Sequence, residues 1–387
     1  MNKKHQKHAK LARPDIGFFC RTEWAILGTP CGKIKELSFH LIKALSVKYK
    51  MAYVDADHKS TDDSEIADGE KTAMNHGAAM EYTDKISHHR FESKASFDSH
   101  QYRSQFNGMD AVLVNGNHFT ANSQIVVIDE KKLESLQRKT DRLTNIVLVL
   151  LEKGMTEIPD FVKPLMNEQT IVLKIEEREK ITAYLHILLL ASVPSLAGLV
   201  LAGGKSQRMG EDKGLIEYHG KPHREYIHDL IAPFCEETYI SCRPDQIESL
   251  SNYPTLPDSF QDLGPFGALL SAFRQKPDHA WMVVACDYPL LDNNTITKLL
   301  NYRNPSKVAT AFNNPNNAFP EPLITIWEPR SYFELLRFLG QGYSCPRKVL
   351  INTDVEVIPV EESELDVFRN ANTEADRDAV MKVVKNK

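Results

Sequence analysis

The sequence predicts an α/β protein of two domains, each a parallel sheet sandwiched between helical layers, and three observations carry that prediction. Short apolar runs recur at 16–20, 24–27, 51–54, 111–114, 125–128, 146–151 and 170–173, the length of strands buried on both faces. Between them apolar residues return at helical spacing, as at Leu37, Leu41, Ile42 and Leu45, so strands alternate with helices. The chain of 387 residues is also longer than one hydrophobic core of ordinary size supports.

Taken in order, residues 1–13 are a basic run from Lys3 to Arg13 that reads as a flexible, solvated tail with no assigned function. A first domain spans 14–192. Within it, residues 58–106 turn polar, with Asp62, Asp63, Glu65 and Asp68 ahead of a His- and Ser-rich stretch, and read as a long loop or loosely packed helices. A helical run at 181–190 ends near Ser192, Pro194 and Ser195, and a new strand follows at 196–201, which sets the boundary of a second domain at 193–387.

Composition narrows the function classes. With 42% apolar and 26% charged residues the chain is an ordinary folded protein, and its net charge of −5 argues against a surface built to clamp nucleic acid. Six cysteines without a CxxC pair suggest neither a zinc knuckle nor a disulfide framework, as expected of a reducing compartment. No apolar segment follows the basic start, and the longest apolar stretch, 187–202, is broken by Pro194; a cytoplasmic protein with no membrane partner is expected. Ten of the fourteen histidines lie in the first half of the chain (1–192), without HxxxH or Cys–His spacing, so they read as a solvated polar run rather than a metal site.

The strongest chemical signal opens the second domain. An apolar strand, Leu199-Val200-Leu201, runs into Ala202-Gly203-Gly204-Lys205-Ser206-Gln207-Arg208-Met209-Gly210-Glu211-Asp212-Lys213. Glycines let backbone N–H groups approach a phosphate, and Arg208 and Lys213 supply cations to a triphosphate and to charge developing at the α-phosphorus. The loop matches neither GxxxxGK[ST] nor GxGxxG, so a P-loop kinase or a dinucleotide oxidoreductase is not supported here.

On these residues the stretch from about 196 to 387 resembles the molybdenum cofactor guanylyltransferases, whose signature LAGGxSxRMGxDK is matched by Leu201 through Lys213. Further matches follow in order: Pro257-Asp258-Ser259 with Gly264-Pro265-Phe266-Gly267, then Cys286-Asp287-Tyr288-Pro289 closing an apolar strand. The resemblance implies a nucleotidyltransferase fold in which Leu201, Ala202, Gly203, Gly204, Lys213, Asp258, Gly264 and Asp287 bind nucleotide. It implies that Arg208, Lys213 and Asp287 are catalytic and that Asp287 holds Mg2+, a hard ion that prefers oxygen ligands. Arg347, Lys348, Asn370 and Asn372 resemble positions on the acceptor side. Where the family commonly carries an Asn, this chain reads Cys242, either a replaced nucleotide contact or a small buried hydrophobe.

The first domain carries Leu27-Gly28-Thr29-Pro30-Cys31-Gly32-Lys33-Ile34, which resembles a damaged Walker A loop: Leu27 stands where the first Gly belongs and Ile34 where the Mg2+-binding hydroxyl belongs. Asn115 replaces the acid expected at the end of a later strand. The domain is similar to the P-loop adaptor GTPases that partner molybdenum cofactor guanylyltransferases, but degenerate, which implies a docking module; a slow GTPase with a shifted loop is the alternative.

The expected architecture is therefore α/β with two Rossmann-like three-layer domains, the N-terminal one P-loop-like and the C-terminal one a nucleotidyltransferase. The implied reaction transfers GMP from GTP to the phosphate of molybdopterin, with Mg2+, giving molybdopterin guanine dinucleotide and pyrophosphate. GTP and molybdopterin are the expected small-molecule partners, with molybdoenzyme maturation proteins as candidate protein partners. Two alternatives stay open at this point: a cytidylyl or other nucleotidyl transferase acting on a different phosphorylated acceptor, and a non-catalytic molybdopterin carrier.

Overall fold

The computed structural model describes residues 17–56, 73–97, 99–202, 212–243, 246–315, 317–371 and 373–385. The chain divides into two compact units, Met1–Ser192 and Val193–Lys387.

The first unit is built on six strands, β1 (Glu23–Leu27), β2 (Met51–Val54), β5 (Ala111–Asn115), β6 (Ser123–Ile128), β7 (Ile146–Leu151) and β8 (Ile171–Lys174). They pair in the order β2-β5-β1-β6-β7-β8, every pair parallel. β1 and β5 are buried along their whole length, as a sheet covered on both faces requires. Helix α1 (Cys31–Leu45) places Ile34, Leu37, Leu41 and Leu45 on one face. Helix α4 (Arg178–Ala191) does the same with Ile181, Leu185 and Leu189, and both cover one side of the sheet. Each such aliphatic side chain contributes about 1.5–3 kcal/mol of burial. The opposite side is filled by two smaller clusters around Leu136, Leu143 and Val162, and around Phe19, Val112 and Val114.

Two expectations change here. The run at 16–20 is not a strand over its described residues: Gly17 takes φ +82° and the Glu23 carboxylate accepts the N–H groups of Phe18 and Phe19, closing a bend. Within 58–106, of which residues 58–72 and 98 lie outside the described ones, an antiparallel hairpin forms from β3 (Met80–Asp84) and β4 (His89–Ser93), followed by α2 (Ser99–Gln105). The hairpin escapes sequence reasoning because it has no buried residue, and so lacks the apolar alternation that marks a half-buried strand. A short helix, α3 (Leu133–Gln137), completes the unit.

The second unit holds a seven-stranded sheet of β9 (Leu196–Leu201), β10 (Thr238–Cys242), β11 (Thr255–Pro257), β12 (Ala280–Ala285), β13 (Ala309–Asn313), β14 (Pro320–Trp327) and β15 (Val355–Ile358), ordered β11-β10-β9-β12-β14-β13-β15. β9 to β12 run parallel, while β14 is antiparallel to both β12 and β13. The sheet is mixed because β13 and β14 are joined by a connection of six residues, too short for a parallel crossover. Helices α5 (His223–Ile231) and α7 (Asn293–Asn301) pack on one side. On the other lie α6 (Pro265–Gln275), α8 (Ser331–Leu339) and α9 (Pro346–Ile351). Helix α10 (Glu374–Lys385) closes the chain on a small cluster with Ile216, Tyr218 and Leu290. No described helix is long and apolar enough to cross a membrane.

Candidate active site

In an open α/β sheet the crevice forms beyond the carboxyl ends of the strands where the chain leaves in opposite directions. In the second unit that point lies between β9 and β12, because β10 and β11 extend the sheet on one side and β14 on the other. A cavity of about 250 Å³ opens there. Leu201 and Ala202 line it from the end of β9, Ser241 from β10, Asp258 from just after β11, Ala285, Cys286 and Asp287 from the end of β12, and Leu323 from β14. Asp212, Lys213 and Gly214 form a further wall, and Gly264, Pro265 and Ala268 supply the start of α6.

Lys213 and Asp287, 74 residues apart, meet here: the Lys213 ammonium donates to Asp287 Oδ1 at 3.1 Å, with side chains 18% and 32% exposed. Asp212 fixes the turn that carries Lys213, accepting the Gly214 N–H at 2.9 Å on one oxygen and the Gln246 amide at 2.8 Å on the other. Asp258 accepts the Ser241 hydroxyl at 2.9 Å; burial pushes its carboxyl above the usual carboxylate value and the Ser241 hydrogen bond pulls it partly back. Gly264, at φ 55° and ψ −138°, occupies backbone space that is essentially closed to other residues. It lets the chain turn into α6, which begins with Pro265 at its first position. Cys286 is buried and its thiol is pushed up by that burial, so it is not a ready nucleophile.

Of the remaining expected residues, Gly203, Gly204, Arg208 and Asn372 lie outside the described residues. Arg347 does not line the cavity. It donates from Nη2 to Glu321 Oε2 at 3.1 Å, and Glu321, 1% exposed, also receives the Asn314 amide, the Leu323 N–H and the Tyr288 hydroxyl. This buried carboxylate links Arg347 to the residue next to Asp287. Asn370 stands beside the same strand end, since the Ala371 N–H donates to the Asp287 carbonyl. Its side-chain oxygen is buried without a hydrogen-bond partner. Lys348 is exposed, with its ammonium 5.3 Å from the Tyr343 ring, and is not brought to the cavity.

Sequence reasoning missed Ser241, Asp212 as an anchor, and Glu321. Ser241 carried a signal, being the neighbour of Cys242 on a strand. The pleat sends Cys242 into the core, fully buried, and Ser241 toward the cavity, which resolves Cys242 as the small buried hydrophobe.

In the first unit the turn between β1 and α1 is only Gly28, Thr29 and Pro30. Gly28 takes φ +91°, and a Cβ there would lie 2.2 Å from the Val127 carbonyl oxygen. Ile34 is a fully buried core residue. Lys33 pairs with Glu152 Oε2 at 3.0 Å and Asp129 Oδ2 at 3.3 Å, and Glu152 foremost holds its ammonium above the ordinary value. Thr29 donates to the same Asp129 oxygen at 2.7 Å. Asn115 is fully buried and donates to Asp55 at 2.7 Å.

The second unit, with its mixed sheet and a cation–carboxylate pair at the switch point, has a nucleotidyltransferase fold. A profile of the MobA-like NTP transferase domain matches residues 198–357. The molybdenum cofactor guanylyltransferase of Pseudomonas putida KT2440 is 30% identical over 181 residues, covering 45% of this chain and 91% of that protein. A probable molybdenum cofactor guanylyltransferase of Synechococcus elongatus is 31% identical over 196 residues, 48% of this chain and 98% of that protein. The chain thus belongs to the MobA-like NTP transferases. The molybdenum cofactor biosynthesis bifunctional protein of Synechocystis is 39% identical over 165 residues, 42% of this chain, and the match spans about half (48%) of that longer relative. Among solved structures, molybdopterin-guanine dinucleotide biosynthesis protein A from Archaeoglobus fulgidus aligns with TM-score 0.43 at 25% identity, over 49% of this chain and 100% of that one.

Proposed function

We propose that the second unit is a molybdenum cofactor guanylyltransferase. An oxygen of the molybdopterin phosphate attacks the α-phosphorus of GTP, the bond from that phosphorus to the β-phosphate oxygen breaks, and pyrophosphate leaves. The observation that carries this reading is the Lys213–Asp287 pair in a cavity at the strand ends, in a chain whose relatives of similar span bear that name. The acceptor phosphate is itself the nucleophile, so no activated Ser or Cys is needed, and the raised Cys286 thiol is consistent with that.

Catalysis then consists of holding two anions together and neutralising charge as it develops. In this reading Lys213, which lines the cavity, neutralises the triphosphate and the leaving pyrophosphate, with Arg208 as its expected companion. No group of three or more His, Cys, Asp or Glu suited to a metal is present among the described residues. Asp287 alone nevertheless fits Mg2+, which typically takes one or two carboxylates and completes its shell with phosphate oxygens and water. When bound, the ion neutralises phosphate charge. Asp258 and Ser241 offer polar contacts on the nucleotide side, and Gly264 opens the start of α6 to it. Arg347, oriented by Glu321, and Asn370 serve the acceptor side. The test is nucleotide-dependent pyrophosphate release by the full chain with Mg2+ and molybdopterin, comparing GTP, CTP and ATP: preference for GTP is expected, and preference for CTP moves the protein to the cytidylyl branch.

The first unit we infer to be a degenerate P-loop-like docking module. Its lysine is occupied by two carboxylates, and the position of the Mg2+-binding hydroxyl is the core residue Ile34. Phosphate release from GTP by the full chain is expected to be the same in wild type and Lys33→Ala; a rate lost in that variant would identify a working GTPase.

A further inference from the structure

Arg224, the second residue of α5, is 3% exposed. An arginine cannot shed its proton, so a buried one needs a counter-charge or a strong reason to stay. Two other arginines of this unit have one: Arg303 holds Glu328 through two hydrogen bonds, at 2.7 and 3.1 Å, and Arg347 holds Glu321. Arg224 does not. Its Nη2 reaches the neutral hydroxyl of Ser249 at 3.4 Å, its Nε has no partner, and no described carboxylate forms an ion pair with it. The Asp212 carboxylate lies nearby but directs its oxygens to the Gly214 N–H and the Gln246 amide rather than to the guanidinium.

The position of this charge, which no described carboxylate pairs, is specific. A Cβ built on Gly214 would lie 3.2 Å from Arg224 Cδ and 3.3 Å from Asp212 Oδ1, so the arginine stem rests directly against the turn that carries Lys213. Gly214 is itself a wall of the cavity. Ser249 in turn donates to the Gln246 carbonyl at 2.7 Å, and Gln246 holds Asp212, so Arg224 belongs to a ring of contacts around Gly214.

We propose that Arg224 is a further polyphosphate-binding determinant, an embedded cation acting across the Gly214 wall to favour the triphosphate and the leaving pyrophosphate while propping the Lys213 turn. It is a positioning residue, since its charge acts through that wall. No described carboxylate forms an ion pair with Arg224, and in this proposal the anion bound in the cavity supplies that further counter-charge. The inference rests on the nucleotidyl-transfer reading above.

The test measures calorimetric binding of Mg2+–pyrophosphate and Mg2+–GTP to the full chain, with thermal melts alongside. Replacing an unpaired buried charge by an apolar side chain of similar length tends to stabilise a fold. Arg224→Met is therefore expected to melt at or above the wild-type temperature yet bind pyrophosphate about tenfold more weakly, the scale of one lost charge acting at an intermediate dielectric. Arg224→Lys keeps the charge and is expected to retain affinity within about threefold. Arg224→Gln, a second neutral variant, covers the case in which Arg224→Met fails to fold. Wild-type affinity in the neutral variants overturns the inference and leaves the transferase reading standing. Equal losses of melting temperature and affinity in all three variants assign Arg224 a packing role and also overturn it. Wild-type protein that binds neither ligand overturns both readings. Weakened pyrophosphate binding in a protein that prefers CTP upholds Arg224 and removes only the choice of base.

Discussion

Asp287→Asn removes one charge and almost no volume, so it separates folding from chemistry at this site. With Lys213 Nζ at 3.1 Å, Coulomb's law gives about 1 kcal/mol at the dielectric of water and about 5 kcal/mol at an effective value of about 20. Both groups keep contact with solvent, and desolvation and side-chain ordering offset the gain, so the net loss of folding stability is set at about 1 kcal/mol or less. For a unit of this size that lowers the melting temperature by about 2–4 °C. The catalytic cost is larger, because Asp287 is proposed to hold the ion that neutralises developing phosphate charge, and a preorganised stabiliser of that kind is worth about 10²–10³-fold in kcat. The expected result is a folded protein whose pyrophosphate release with GTP, molybdopterin and Mg2+ falls by at least about a hundredfold, with KM for GTP little changed because Lys213 remains. Turnover within about threefold of wild type would refute the assignment of Asp287 as the carboxylate that holds Mg2+ against the phosphates.

Other consequences can be measured in the same protein. Gly264→Ala forces a side chain onto φ 55° and ψ −138° and is expected to lower stability by about 1–3 kcal/mol in urea titrations while weakening GTP binding. Glu321→Gln releases Arg347 from its buried partner. It is expected to raise KM for molybdopterin severalfold with KM for GTP unmoved, and to add nothing in an Arg347→Ala background, which a double-mutant cycle reads directly. Burial, aided by neighbouring His219, pushes the His223 imidazole down to about 3 from its ordinary 6.5. The folded state then binds fewer protons than the unfolded one between those values. Its stabilising contribution is complete above pH 6.5 and is lost as pH falls toward 3. His223→Phe should flatten that part of the stability–pH curve, measured by denaturant midpoints at fixed pH.

Legibility differed from residue to residue for physical reasons. The strands β1, β5, β6 and β12 could be read directly, because strands buried on both faces appear as unbroken apolar runs. The hairpin β3–β4 could not, since with no buried residue it is held by cross-strand backbone pairing such as Tyr82 opposite Phe91. Lys213, Asp258, Gly264 and Asp287 were visible as motif residues because each lies on a short local pattern. That they share one cavity is a fact of the sheet.

By itself the sequence determined the α/β character, the glycine-rich loop after β9, the acid at the end of β12 and the broken lysine loop near the start. All of these are local: a run, a spacing or a missing side chain. Only the tertiary structure decided which partner each charge has. It joined Lys33 to Asp129 and Glu152, Arg347 to Glu321 and Lys213 to Asp287, and it left Arg224 buried beside a glycine with a hydroxyl for company. The reason is distance along the chain. Lys213 and Asp287 are separated by 74 positions and Lys33 and Asp129 by 96, and only the strand order that sets β9 beside β12, and β1 beside β6, brings such pairs to one edge.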